Sequence, residues 1–167
     1  MSFIIKELEN EEDWLFFKQL DFESYALTVK DADELTEEEL WEKYEEFDKS
    51  DGINPRDSNH AIFIIWSKED VRAGLIWLCN REPFWRFEKQ HVWIYNLHII
   101  SDFRQRGLAR LLMNKAEEWC LEQGIDRIAL HALEDNTAVR NLYESLEYKL
   151  VDTHFESCFY EKVLAKK

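Results

Sequence analysis

The run FRQRGLARL, Phe103 to Leu111, sets three arginines around one of the chain's four glycines, where an apolar strand-like stretch gives way to a helical one. The chain around it is acidic, with 35 acidic against 21 basic residues and a formal net charge of −14 over 167 residues. A basic turn in such a chain points to an anion received there, although a solvated helix start would account for the same charges. A strand that enters a short turn and then a helix presents unpaired N–H groups at the positive end of the helix dipole, which is a site for phosphate. Gly107 permits positive φ and leaves no side chain where an anion would approach the backbone, and Ala109 is the next smallest choice. Arg104, Arg106 and Arg110 add charge, but three arginines cannot all aim at one ligand. The first two glycines of a dinucleotide fingerprint are missing and no G-x-x-x-x-G-K-[ST] run occurs, which disfavours Rossmann and P-loop readings.

The elements that must position this turn follow from periodicity and punctuation. FIIKEL reads as a strand, and EEDWLFFKQLDFESYALT as an amphipathic helix with Trp14, Phe17, Leu20 and Phe22 as its apolar contacts. Thr36, followed three residues later by Glu39, matches a capping box and opens a second helix in which Leu40, Tyr44 and Phe47 recur at helical spacing. KSDGINPRDSN is a loop; HAIFIIWSKEDVRAGLIWLC is a hairpin turning at SKED; REPFWRFEKQ is a connection; HVWIYNLHII is a long strand. The next helix carries Leu108, Leu111, Leu112, Ala116, Trp119 and Cys120 on one stripe, with Gly124 to end it. DRIALHAL is a short strand with Ile128, Leu130 and Ala132 on one face and His131 on the other. Asn136 caps a helix in which Val139, Leu142, Tyr143 and Leu146 fall at the packing interval. Two strands, near residues 148 to 152 and 155 to 164, complete the chain. With no repeat or linker, residues 1–167 read as one α/β domain, a mixed and mostly antiparallel sheet of six or seven strands flanked by helices.

Composition narrows the function classes. An apolar fraction of 46% supports a substantial core. The start of the chain shows neither a signal peptide nor a membrane-spanning run, so a soluble cytoplasmic protein with no membrane contact is expected. Residues 31–49 hold ten acidic and two basic residues, which argues against direct binding to nucleic acid. That acid could attract a cationic substrate or serve as the solvated face of a helix. Cys79, Cys120 and Cys158 are too far apart for a paired-cysteine metal motif, and the five histidines lack metal-ligand spacing, so no metal is expected.

The segment LHIISDFRQRGLARLLM resembles the acetyl-CoA-binding segment of the GNAT superfamily of N-acyltransferases, an L-x-V strand end followed by [QR]-x-x-G-x-[GA]. Arg104, Gly107 and Ala109 fill the fixed places. NTAVRNLYESLEY follows at the family's usual distance and matches N-x-x-x-x-x-L-Y-x-x-x-G-[FY] at Asn136, Leu142, Tyr143 and Tyr148. The resemblance covers residues 60 to 164 well and the first helices loosely. It implies a GNAT-like fold in which the turn of Gln105, Arg106, Gly107, Leu108, Ala109 and Arg110 cradles the CoA pyrophosphate. The backbone of Leu97, His98 and Ile99 would bind the pantetheine arm as an added strand between two splayed strands, with Asn136 on the same arm. Two departures stand out: Ser101 replaces a frequent proline, and Glu147 replaces a glycine where left-handed backbone costs a glutamate roughly 1 kcal/mol.

The resemblance further implies an acetyl-CoA-dependent N-acetyltransferase that moves an acetyl group directly to a primary amine of a small molecule or protein. Such transfer needs a neutral nucleophile, a polarised carbonyl and a proton for the departing thiolate. Tyr143 is similar to the family's proton donor, while its spacing also suits simple packing. His131, five positions before Asn136, falls where the branch that acetylates protein N-termini carries a glutamate base, and imidazole can do that work. A structural histidine, His98 as base, or bound water are the alternatives. Trp77, Phe84, Trp85, Trp93 and Tyr95 fall near the acceptor cleft of relatives, where rings can hold an ammonium, although core packing accounts for most of them. The rival reading is a CoA-binding regulatory or interaction module of the same fold without turnover. Acetyl-CoA and an amine acceptor are the expected partners, with a homodimer left open.

Overall fold

The computed structural model describes residues 2–165. Strand β1 (Ile4–Glu7) leads into helix α1 (Glu11–Ala26), whose start is fixed by polar residues on both sides of the cap. Asn10 Oδ1 accepts the Asp13 N–H at 2.9 Å, and the Asp13 carboxylate accepts the Glu9 N–H at 3.0 Å and the Arg72 Nε–H at 2.9 Å. Burial pushes the Asp13 carboxyl up, but these bonds prevail and hold it below its ordinary range. Helix α2 (Glu37–Ser50) begins as the sequence suggests, with Thr36 Oγ1 accepting the Glu39 N–H at 3.1 Å. Its contact with α1 is aromatic, for Trp41 stacks on Phe22 at 3.8 Å between centroids and buried Tyr44 donates to Asp21 at 2.8 Å. Of the expected Leu40–Tyr44–Phe47 stripe, Tyr44 is buried and Phe47, 51% exposed, still stacks on Tyr25 at 5.2 Å; Trp41 adds a contact the stripe does not include. The acidic side chains of α2 point to solvent.

Seven strands form one sheet. After β1 come β2 (His60–Trp66), β3 (Arg72–Arg81), β4 (His91–Ile99), β5 (Arg127–Leu133), β6 (Lys149–His154) and β7 (Ser157–Val163), in the order β1-β2-β3-β4-β5-β7-β6. Every neighbouring pair is antiparallel except β4 with β5. Helices α3 (Leu108–Glu122) and α4 (Thr137–Ser145) complete the mixed, mostly antiparallel architecture read from the sequence. Phe155, read as strand, instead forms the β6–β7 turn with φ +54° and 89% exposure, so β7 starts two residues later.

Each face of the sheet is covered differently. On one, α3 buries Leu108, Leu112, Met113, Ala116, Trp119 and Cys120 against Ile76, Val92, Ile128 and Leu130. Leu111, expected on that stripe, is 43% exposed because the helix turns Met113 inward instead. On the other face, α1 sets Phe17 and Leu20 on Ile64, Leu75 and Trp77. Beyond the reach of α1 the β3–β4 connection folds back as a cover. Phe84 and Phe87 exchange two backbone hydrogen bonds at 2.9 Å, and Phe87 is buried on Trp93. Inside the sheet, β3 and β4 approach so closely at Gly74 that a Cβ there would lie 2.6 Å from the His98 carbonyl oxygen. None of the described helices is long and apolar enough to cross a membrane.

Glu147 follows α4 with φ +71°, a left-handed conformation held by Tyr148 N–H donating to the Tyr143 carbonyl at 3.0 Å. Glycine adopts that backbone without the steric penalty of a Cβ. Glu147→Gly should therefore stabilise the protein by about 0.5–1 kcal/mol, a rise in Tm of roughly 1–4 °C for a chain of this size. A thermal melt with Tm unchanged or lowered would show that the residue carries no such strain.

Candidate active site

The parallel pair at the centre of the sheet is short. β4 and β5 align only at Val92 with Ile128 and Trp93 with Ala129, and then diverge. Beyond that point the β5-facing edge of β4 has no strand partner among the described residues, leaving backbone donors and acceptors for an extended ligand. A bulge sits at the same level, since Trp77 lies opposite Asn96 and Leu78 opposite Ile94, making Tyr95 the extra residue. The bulge changes the parity of the strand. Tyr95 and Asn96 both face α1, Leu97 and Ile99 face the α3 core, and His98 faces α1.

β4 runs through a short 3-10 turn, Ser101–Phe103, into the arginine loop. Gln105 has φ +63° and Gly107 φ +77°, immediately before α3. Left-handed residues alternating in this way are the backbone pattern of anion-receiving turns, and here they stand at the positive end of a helix. A Cβ on Gly107 would meet no atom within 4 Å, so the backbone angle rather than crowding favours glycine. The arginines are held apart. Arg104 Nε donates to the Ile99 carbonyl at 2.9 Å, Arg106 to the Asp102 carbonyl at 3.1 Å, and Arg110 to Ser145 Oγ at 2.9 Å. They ring the turn and brace it against β4 and α4. Asn136 has the capping role read from the sequence, accepting the Val139 N–H at 3.3 Å.

The β4–β5 register also places the titratable candidates. Two residues past the last aligned pair on the α1 face, Tyr95 and His131 flank the opening of the split. The His131 ring stacks on Trp93 at 6.0 Å and 16° and lies 5.7 Å from Phe159, with no hydrogen-bond partner among the described residues. Its outer edge meets solvent, while burial among the rings holds its pKa below the ordinary 6.5. The imidazole is therefore neutral at pH 7. Tyr143 lies on the other face in the α3 core, 5% exposed and 6.1 Å from the rings of both Tyr148 and Tyr160. Burial raises its pKa far above the ordinary range, so the phenol keeps its proton. The hydroxyl makes no hydrogen bond with the described residues.

His98 stands elsewhere. Its Nδ1 is 3.0 Å from Ser24 Oγ, which donates to Asn96 Oδ1 at 3.1 Å, while Asn96 Nδ2 reaches Asp21 at 3.4 Å and His98 Nε2 lies 3.8 Å from Glu23. This network pins β4 beneath α1 and leaves the ring little freedom. Of the aromatic candidates, Trp77 and Trp93 are core residues, Phe84 belongs to the cover, and Trp85 projects at a positive-φ corner against Phe159. Tyr95, half-buried, stands at the bulge next to the split and packs on Trp77 and His60. Sequence alternation could not single it out, because a bulge leaves no mark in the period of a strand. Among the described residues no cluster of three or more His, Cys, Asp or Glu could hold a metal ion.

The family model for the acetyltransferase (GNAT) family matches residues 14–148. The uncharacterized N-acetyltransferase YdgE of Bacillus subtilis is 28% identical over 153 residues, covering 91% of this chain and 95% of that protein. Among solved structures, a Pyrococcus furiosus chain assigned to the acetyl transferases superposes with a TM-score of 0.76 at 27% identity, over 93% of this chain and 98% of its own. The PaiA N-acetyltransferase of Thermoplasma acidophilum, in complex with coenzyme A, shares the fold with a TM-score of 0.70 at 20% identity, over 98% and 99% of the two chains.

The aromatic enclosure of His131 gives a direct expectation. Nuclear magnetic resonance titration of its ring protons should give a midpoint below the ordinary 6.5. Trp93→Ala, which removes one wall, should move the midpoint up toward 6.5. A wild-type midpoint at or above 6.5 would show that the rings do not exclude water from the imidazole.

Proposed function

The chain belongs to the acetyltransferase (GNAT) family, and on that premise we propose that residues 1–167 form one catalytic domain in which His131 is the base, Tyr143 the acid and the Gln105–Arg110 turn the phosphate cradle. The enzyme is an acetyl-CoA-dependent N-acetyltransferase that moves an acetyl group to an amine. The observation that supports this reading is the split between β4 and β5, beside which the register sets His131; Tyr143 lies in the core on the opposite, α3 side of the sheet.

The residues present fit the donor. The left-handed turn at Gln105 and Gly107 before α3 suits the pyrophosphate, and the edge of Leu97, His98 and Ile99, without a strand partner among the described residues on the β5 side, suits the pantetheine amides. Asn136 keeps its Nδ2 free for the same arm while its Oδ1 caps α4. Bound acetyl-CoA supplies the activated thioester. His131, neutral near pH 7, takes the proton from the acceptor nitrogen as that nitrogen attacks. Tyr143 Oη–H is the proton source for the departing sulfur; burial raises its pKa and makes the phenol a weaker acid, so the transfer must be driven by cleavage of the C–S bond. A reducing, cytoplasmic setting belongs to the same proposal, supported by Cys79, Cys120 and Cys158 all being free thiols.

Two sets of variants test these roles. Gly107→Val forces a β-branched residue to φ +77° and should deform the turn, weakening CoA binding by tenfold or more in calorimetry while circular dichroism stays native. Unchanged affinity in the folded variant would remove the turn from the donor site. His131→Ala should lower turnover by about two to four orders of magnitude at pH 7 and abolish the acidic limb of the pH–rate profile, with acetyl-CoA affinity retained. Tyr143→Phe should keep Tm and lower turnover about a hundredfold or more. Equal activity of Tyr143→Phe and wild type, where chemistry limits the rate, would leave the ring as a packing residue only.

A further inference from the structure

A second opening lies on the α1 face beside Tyr95. A cavity of ≈420 Å³ sits between the α2–β2 loop and the end of β3, with Asp57, His60, Cys79, Asn80, Arg81 and Tyr95 in its lining. That size suits a small molecule, since ligand pockets commonly run from about 300 to 1,000 Å³. Tyr95 joins the cavity to the split, because the bulged residue that flanks the opening opposite His131 is also part of the cavity wall. The wall is well held: the Tyr95 ring packs 4.6 Å from Trp77 and 5.9 Å from His60, and Trp77 Nε1 donates to His60 Nδ1 at 2.9 Å. The Tyr95 hydroxyl has no hydrogen-bond partner among the described residues.

Charge in this cavity is sorted by depth. Asp57 and Glu82 stand at the exposed rim, whereas Arg81 is half-buried and is the deepest ionic group of the lining. Its guanidinium lies 3.7 Å from the Phe84 ring centroid and 5.7 Å from that of Trp93, and no carboxylate among the described residues forms an ion pair with it. In a chain of net charge −14 an arginine so placed is conspicuous, because two ring faces only partly replace the water it has lost. Its field reaches the wall: burial raises the pKa of Tyr95 and of Cys79, and Arg81 opposes both shifts.

Resting on the acetyltransferase reading above, we propose that this cavity admits the acceptor, a small amine that also bears an anionic group, with Arg81 binding the anion and the Tyr95 hydroxyl positioning the amine at the split. The anion neutralises the half-buried charge of the lining that no carboxylate among the described residues pairs. The rim carboxylates then face the acceptor's cationic end as it enters. Tyr95, as a hydrogen-bond partner of the nitrogen, aligns it for proton transfer to His131 without itself exchanging a proton.

Matched pairs test this. With acetyl-CoA saturating and product mass as the readout, each of a panel of free amino acids is compared with its carboxamide, and 2-aminoethyl phosphate with ethanolamine. The anionic member should be preferred by about tenfold or more in kcat/KM, and the pair that shows the preference identifies carboxylate or phosphate. Arg81→Gln should bring the preference toward parity without changing acetyl-CoA affinity, and Arg81→Lys should restore part of it. Tyr95→Phe should lower kcat more than it raises KM for the same acceptor. No preference in the wild type, or a preference that survives Arg81→Gln, overturns the assignment. If acetyl-CoA binds but no amine of either kind is acetylated, the acetyltransferase reading fails separately. Calorimetric titration of the anionic amines into the CoA-loaded protein then decides the cavity: heat lost in Arg81→Gln supports it, and absence of heat overturns it.

Discussion

The parallel contact between β4 and β5 ends after two aligned positions, and most of the site follows from that early stop. A parallel ladder carried further would have consumed the backbone groups of Ile94 to Ile99. It would also have closed the gap through which the two faces of the sheet communicate. The bulge at Tyr95 lies just where the strands part, giving β4 the local bend and extra twist that a departing strand needs. The β3 side meanwhile keeps β4 paired on both sides of the bulge as far as Ile99, so the opening is made without leaving the strand loose.

Burial acts alike on the two proposed proton carriers, disfavouring the charged form of each. Enclosure lowers the pKa of the imidazole and raises that of the phenol, so both favour the neutral form at pH 7, the one as a weaker base and the other as a weaker acid than in water. No neighbouring charge is required at either place. That economy suits a protein with such an excess of carboxylates, which are kept mostly on the outer surfaces of α2 and the loops. The arginines of the turn are likewise separated, each anchored on a different carbonyl or hydroxyl, so their mutual repulsion is spread over the mouth of the site.

Local chemistry was legible in the sequence. Thr36, Asn136 and Gly107 each do what their type and position imply, because capping and left-handed backbone are decided within a few residues. The alternation of β5 placed His131 correctly on the face opposite Ile128 and Leu130 for the same reason. What failed depended on tertiary context. Leu111 and Met113 are equally apolar, and only the rotation of α3 on the sheet decides which is buried. Phe155 looks like strand and is a turn, since β6 and β7 need a reversal there. Tyr95 was one aromatic among several until the bulge gave it a direction. The capping carboxylate of Asp13 escaped notice because its partner, Arg72, is distant in the chain.

Gly74 closes the strand stack from behind. With a Cβ at that point lying 2.6 Å from the His98 carbonyl oxygen and 2.7 Å from Ile99 Cδ1, any larger residue pushes β4 away from β3. The strand's other edge is the one that stands open toward β5, so the push is delivered there. Position 74 therefore acts as a gauge block for the width of the split, although it touches neither the arginine turn nor a titratable group. Mutational drift elsewhere on β3 alters packing, whereas drift at this one position alters a dimension of the site.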